Sequence, residues 1–324
     1  MAELILPDDI DFSRYEEETD PAQKVRDASV YVQELLDRMA SPVREKHALM
    51  PWGKTHRLIQ FRTGEVTLWG GQSGAGKSLV TGQVALSLCA QDERVCVASF
   101  EMKPHKTMER MGQQFTGFDI NDEQILSDPT ERREMAALYA EFRDWTNKRL
   151  WLYDQQGSIQ WRRMCAVARY CAKELGIAHL FIDNLMKCVA GEDDYNGQKA
   201  FVDELCAIAR DYKTHIHLIH HVKKPATDDH KASKYDFKGS GAITDQVDNV
   251  IAVWRNKKKE RDLAAKKLVQ ETDPDVMLIV DKQRNGSGWE GNIGLWFRQR
   301  SRQLVGSFNA PQMNFYGPPA REDA

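Results

Sequence analysis

The run Gly71-Gln72-Ser73-Gly74-Ala75-Gly76-Lys77-Ser78 constrains this chain more than any other feature. It fits the pattern Gly-x-x-x-x-Gly-Lys-Ser/Thr with no mismatch. It follows an apolar run ending at Trp69-Gly70 and opens an apolar-periodic stretch, Ser78–Ala90. Strand, glycine loop and helix in that order form a phosphate loop. Backbone N–H groups turn inward around phosphate oxygens, and the helix N-terminus adds partial positive charge. The expected nucleotide contacts are Gly71, Gln72, Ser73, Gly74, Ala75, Gly76, Lys77, Ser78 and Leu79. Lys77 should reach the β- and γ-phosphates of ATP, and the Ser78 hydroxyl should hold Mg²⁺.

A phosphate loop needs an acidic partner for the metal. Leu180-Phe181-Ile182-Asp183 is an apolar strand ending in Asp, and Asp183 is the expected second Mg²⁺ group. The next residue is Asn184, so the group that orients the attacking water is not beside it. Glu101, after the strand Val95–Phe100, is the best candidate. An ionised carboxylate there can polarise a water for in-line attack. Spacing alone favours reading Glu101 as a surface carboxylate at a strand end.

Around this site, apolar β-rich runs alternate with helical stretches. Expected strands are Glu65–Trp69, Arg94–Phe100, Arg149–Tyr153, Ala178–Asp183, His215–His220, Asp248–Trp254, Val276–Asp281 and Asn292–Phe297. Expected helices after the first are Pro104–Phe115, Thr130–Asn147, Ile159–Leu175 and Gln198–Tyr212. Continuous apolar strands alternating with helices imply an α/β fold. Its central sheet is mostly parallel, with helices on both faces. The closely spaced last strands imply an antiparallel edge. Residues 45–308 make one ATPase domain. Residues 1–44 precede it as an acidic tail and a helix, and 309–324 follow as a Pro-containing tail. Val25, Ala28, Val32, Leu35, Leu36 and Met39 recur at helical spacing over Ala22–Ala40. That amphipathic helix packs either on its own domain or on a neighbouring subunit.

Lys plus Arg total 45 against 48 Asp plus Glu, a net charge of -3. This excludes a whole-protein basic footprint, though not nucleic-acid binding by local loops. No run approaches the roughly 18 apolar residues of a membrane span. The cysteines at 89, 96, 165, 171, 188 and 206 form no Cys-x-x-Cys and sit in apolar runs. They read as reduced core thiols in a cytoplasmic protein. His215, His217, His220 and His221 have no carboxylate or cysteine at ligand spacing and read as core or sensor histidines. Lys257-Lys258-Lys259, Arg261 and Lys266-Lys267 form a basic patch, broken by Glu260 and Asp262, that reads as a solvated face.

Five separated motifs in the right order resemble one family. These are Phe61–Leu68 leading into the phosphate loop, Ala98-Ser99-Phe100-Glu101-Met102, His220-His221-Val222-Lys223-Lys224-Pro225, Asp236–Ile243 and Asp281-Lys282-Gln283-Arg284-Asn285-Gly286. Together they resemble the motor of DnaB-type replicative helicases, in the style of the phage primase-helicases and Twinkle. The resemblance implies a RecA-like P-loop ATPase and a homo-hexameric ring with ATP at subunit interfaces. It makes Glu101 the catalytic carboxylate and His221 the γ-phosphate sensor, a place other members fill with Gln. Lys282 and Arg284 become the pair that reaches the neighbour's ATP, and a trans Arg stabilises charge built up in phosphoryl transfer. A Lys-x-Arg pair on a strand points both side chains to one face. Arg255 resembles a residue that packs on adenine.

By the same resemblance single-stranded DNA runs through the ring centre. Lys238, Gly239, Ser240 and Gly241 form the central loop, with Lys187 nearby. Glu192-Asp193-Asp194 is acidic for such a place, and Tyr195 and Tyr235 are candidate stacking aromatics. The implied activity is 5′–3′ translocation and unwinding, with a primase or a helicase loader as further partners. Residues 1–44 are expected to hold neither a primase domain nor the large N-terminal domain of the bacterial enzymes. The competing readings are a RecA-like recombination or repair ATPase that binds single strands without unwinding, and an ATP-dependent loader or scaffold of a replication complex.

Overall fold

The computed structural model describes residues 3–5, 10–15, 27–41, 46–223, 227, 230–239 and 241–316. In chain order the elements are β1 (Glu3–Ile5), α1 (Ala28–Ala40), β2 (Ala48–Leu49), β3 (Gln60–Phe61), β4 (Val66–Gly70) and α2 (Lys77–Ala90). Then come β5 (Val95–Ser99), α3 (Pro104–Thr116), α4 (Glu123–Ser127), α5 (Pro129–Thr146), β6 (Leu150–Tyr153), α6 (Trp161–Glu174) and β7 (His179–Asp183). The remainder are α7 (Tyr195–Tyr212), β8 (His215–Ile219), α8 (Ala242–Gln246), β9 (Asn249–Arg255), α9 (Lys257–Ala264), β10 (Val276–Gln283), β11 (Gly291–Arg298) and β12 (Gln303–Val305).

Among the described residues, ten strands form one sheet in the order β1-β6-β5-β7-β8-β4-β9-β10-β11-β12. Every pair from β1 to β9 is parallel. From β9 through β12 the pairing is antiparallel. This is the expected architecture, an α/β RecA-like sheet with an antiparallel edge. Strand alternation sorts side chains between two cores. Val66, Leu68, Leu180 and Ile182 pack with α6 and α7 residues such as Val167 and Leu205. Trp69 and Phe181 pack on the other face with Val84, Met111 and Phe142 from α2, α3 and α5.

Local chemistry sets the helix ends. The Asp128 side chain accepts from the Thr130 and Glu131 N–H groups, and Pro129 fills the first helical position of α5. α3 stops at Gly117, whose φ of 81° suits a residue without a Cβ.

The first and last segments depart from the reading of loose tails. β1 extends the sheet beside β6, and Ile5, Phe12 and Tyr15 are buried. The Tyr15 hydroxyl donates to Glu174 (3.0 Å). At the other end Phe315 is buried and stacks on Phe115, and the Tyr316 hydroxyl donates to Glu141 (2.6 Å). A three-residue strand and single aromatic anchors carry no periodicity, so the sequence does not announce them. Helix α1 is the opposite case. It forms as expected, and none of its residues is buried. Residues 22–26 of the expected helix lie outside the described residues.

Candidate nucleotide site and its opposite edge

Four parallel strands deliver their C-terminal ends side by side. β5 leads to Glu101, β7 to Asp183 and Asn184, β8 to His221, and β4 to the phosphate loop. In open α/β sheets ligands bind at this edge. The loop's backbone explains its glycines. Gly76 has φ of +89° and caps α2, and a Cβ on Gly71 would lie 2.7 Å from the Val253 carbonyl.

The polar side chains converge. Lys77 is buried, and its Nζ donates to the carbonyls of Gly71 (2.9 Å) and Gln72 (3.1 Å). It also lies 3.3 Å from His221 Nδ1. Ser78 Oγ donates to Asp183 Oδ2 at 2.8 Å. Asn184 Nδ2 donates to Glu101 Oε1 (2.7 Å) and lies 3.1 Å from His221 Nε2. Burial pushes the Lys77 ammonium down and the Asp183 carboxyl up, the latter against the bond from Ser78. Burial also lowers His221, and Lys77 adds to that, so the imidazole is held neutral. A neutral imidazole has one acceptor nitrogen, yet both neighbours of this ring are donors.

Asn184 is the residue that sequence reasoning passes over. It is 1% exposed, and its Oδ1 has no partner. The sequence shows it only as the absence of a carboxylate after Asp183, and its bridging place depends on how β5, β7 and β8 lie side by side. An orphaned acceptor, donors in excess and a glycine cradle fit a hydrated nucleotide phosphate. The Ser78–Asp183 pair fits Mg²⁺, which takes one or two protein groups and draws its other ligands from phosphate and water. No group of three or more His, Cys, Asp or Glu gathers as a ligand set among the described residues.

A cavity of about 1140 Å³ opens beside the loop and extends to Arg255, Lys259, Leu263, Trp296 and Phe297. Arg255 lies over the loop, with Nη1 on the Gly74 carbonyl (3.1 Å) and Nε on Glu260 (2.5 Å). The basic patch is not simply a solvated face. Lys259 Nζ pairs with Asp275 (2.8 Å) and caps the carbonyls of Glu271 and Asp273, so part of α9 walls the cavity.

His179, His215, His217 and His220 are buried at the sheet. His217 stacks on Phe181 with centroids 4.0 Å apart, and His179 Nδ1 meets His217 Nε2 at 3.2 Å. His215 Nε2 meets Thr67 Oγ1 at 2.8 Å. His220 packs beside Phe237 and meets the Lys238 carbonyl at 2.8 Å.

The residues expected to form a central loop sit next to the nucleotide edge. The Lys238 N–H donates to the His221 carbonyl (3.1 Å), and Phe237 fills the space over Gly70 that a Cβ would need. Lys238 Nζ pairs with Glu192 at 2.5 Å, which accounts for an acid in that place. Gly239 has φ of +81°, Gly241 is exposed, and Lys187 is half-buried in the turn after Asn184. Ser240, Lys224 and Pro225 lie outside the described residues. Tyr235 is 79% exposed, and Lys234 lies over its ring.

Lys282 and Arg284 lie elsewhere. β10 runs antiparallel to β9, so its C-terminal end emerges where β4 begins. Lys282 Nζ donates to the carbonyls of Thr244 and Asp245 (both 2.8 Å), and Arg284 Nη2 to the Asp245 carbonyl (2.8 Å). Both side chains therefore share one side. At about 3.3 Å per residue, the span from Glu65 to Gly71 puts them roughly 20 Å from the phosphate loop. They cannot serve the nucleotide held by their own chain.

Comparison with known proteins identifies a family and a fold. The family model described as the DnaB-like helicase C-terminal domain matches residues 56–305. A DNA helicase/primase of Enterobacteria phage T3 is 26% identical over a stretch covering 63% of this chain and 38% of that protein. The chain thus matches well under half the length of that curated relative. Among solved structures, an ATPase domain superposes with a TM-score of 0.68 at 16% identity, covering 90% of this chain and 99% of that one. A DnaB-like replicative helicase, described with its interactions with primase, gives 0.69 at 15% identity, covering 87% and 67%. At these identities the structural likeness is one of fold.

Proposed function

This chain belongs to the DnaB-like helicase C-terminal domain family, and on that premise we propose that it is an ATP-driven DNA helicase. It would work as a homo-hexameric ring that moves 5′ to 3′ on single-stranded DNA. The observation that carries the reading is the split between the two sheet edges. One edge gathers Lys77, Ser78, Glu101, Asp183 and His221, and the other offers Lys282 and Arg284. A subunit built this way completes its neighbour's ATP site and has its own completed in turn.

In this reading Gly71 to Leu79 cradle the triphosphate and Arg255 closes over the base side. Ser78 and Asp183 would hold Mg²⁺, which when bound would neutralise charge at the phosphates. Glu101 orients the attacking water, and its bond from Asn184 fixes the carboxylate toward the site. Neutral His221 senses the γ-phosphate, and its carbonyl passes that state to the Lys238 N–H. Lys238, Gly239, Ser240 and Gly241, with Lys187, hold the DNA backbone. A primase or a loader is a proposed partner, in line with the helicase/primase relative. The protein is proposed to act in the cytoplasm. No helix among the described residues is long and apolar enough to cross a membrane.

The recombination-ATPase reading shares the nucleotide edge but predicts filaments or clamps on DNA. Electron microscopy with ATP and single-stranded DNA separates the two. Closed six-membered rings, with ATP hydrolysis stimulated by DNA and absent in Lys77→Ala, support the proposal. Filaments contradict it.

A further inference from the structure

We infer that Glu65 and Asp248 are positioning residues for Arg284. They brace the loop that presents it against the first residues of β4 and β9. The inference rests on the proposed role of Arg284 at the neighbouring subunit's ATP.

Arg284 stands at the mouth of an exposed loop containing Gly286 and Gly288, both with positive φ. A tip of that kind is mobile unless it is tied. A side chain that acts on another subunit's phosphate needs its geometry held closely, because a displacement of about 1 Å can cost ~10²-fold in rate.

The ties are specific. Glu65 is 3% exposed. Its Oε2 accepts from Asn249 Nδ2 at 2.9 Å, while its Oε1 accepts from Asn285 Nδ2 at 2.8 Å. Asp248 is 6% exposed. Its Oδ2 accepts from the Val66 N–H at 2.9 Å, while its Oδ1 faces Arg284 Nη1 at 3.4 Å. Each carboxylate thus turns one oxygen to the β4–β9 junction and the other to the loop, where Glu65 Oε1 also lies 3.8 Å from Arg62 Nη1. The Arg284 N–H adds a bond to the Asp248 carbonyl (2.8 Å). Gly286, with φ of +83°, makes the turn that follows Asn285 without the strain a Cβ would bring.

A burden carried only for folding would not need this division. Buried carboxylates are costly unless every oxygen is paired. Here part of that pairing comes from Arg284 and Asn285, two exposed residues of the loop. The physical consequence is that Arg284 moves as a rigid part of the strand pair that includes the phosphate-loop strand. A change at one ATP site would then shift the Arg284 delivered to the next.

The test uses the full chain with Arg284→Ala, Glu65→Gln, Asp248→Asn and Asn285→Ala. The last variant lies on the exposed loop and leaves Glu65 both its bond from Asn249 and its ion pair with Arg62 (3.8 Å), so the fold is retained. For the three bracing variants we expect unchanged ATP affinity and a turnover reduced by about tenfold to a hundredfold. Turnover should recover above that of either partner when each is mixed with Lys77→Ala protein, whose subunits lend an intact Arg284. A merely structural defect would not be repaired in trans. Wild-type turnover in Asn285→Ala and Glu65→Gln, or a loss that mixing does not repair, overturns the inference while leaving the role of Arg284 intact. Near-normal turnover in Arg284→Ala removes the premise and the inference with it.

Discussion

At the residue scale, the chemistry turns on a few side chains whose neighbours set their charge. Lys77, Asp183 and His221 are all shifted by burial toward their neutral forms. A polyanion and a cation entering together favour the charged forms of the first two. Arg284→Ala should leave ATP binding intact and reduce hydrolysis by about 10³-fold or more, the scale of a missing trans arginine. Single-turnover assays with a fluorescent nucleotide separate binding from chemistry, and near-normal turnover would refute the assignment. Glu101→Gln should likewise bind ATP and lose hydrolysis by about 10²–10⁴-fold. An unchanged rate would return Glu101 to a surface carboxylate. The phosphate loop, Asp183 and Glu101 are legible because each ends an apolar strand. Asn184 is not, because its two partners come from strands that are neighbours only in the folded sheet.

At the scale of elements, the eight expected strands form within a residue or two of their expected limits. Long apolar runs report their own type. The missed pieces, β1, β2, β3 and β12, are two or three residues long, too short for a periodic signal. The histidines between β4, β7 and β8 make a prediction of their own. Burial pulls His215 and His220 down to about 4 from the ordinary 6.5, and His179 and His217 well below it. Below pH 6.5 the unfolded chain gains protons that the folded chain refuses, so stability falls as pH drops toward 4. The gap between 6.5 and about 4 is worth about 3 kcal/mol per histidine. Thermal unfolding should therefore move to lower temperature between pH 7 and pH 5, and His217→Phe should flatten that slope. A midpoint independent of pH over this range would contradict the assignment of neutral buried rings.

At the scale of the whole molecule, the sheet's two edges and helix α1 point to an assembly. The sequence shows a Lys-x-Arg pair but not that it leaves the sheet roughly 20 Å from its own phosphate loop, since that follows from strand order. It shows an amphipathic helix but not what covers it. In the folded chain Leu35, Leu36 and Met39 are 58%, 52% and 83% exposed. Burying side chains of this size is worth about 1.5–3 kcal/mol each, enough to hold a neighbour. Removing residues 1–40 would also strip β1 and the buried Ile5, Phe12 and Tyr15, so point changes are the cleaner probe. Leu35→Glu with Met39→Glu should leave a folded monomer and abolish hexamers by light scattering. Unchanged hexamers would place the assembly contact elsewhere.

In the proposed motor, ATP hydrolysis between subunits separates DNA strands. Unwinding of forked DNA carrying a single 5′ or a single 3′ tail, with Lys77→Ala as the inactive control, tests it most directly. ATP-dependent separation is expected with the 5′ tail alone, and none with Lys77→Ala. DNA-stimulated hydrolysis without strand separation on either substrate would contradict it and favour the recombination ATPase.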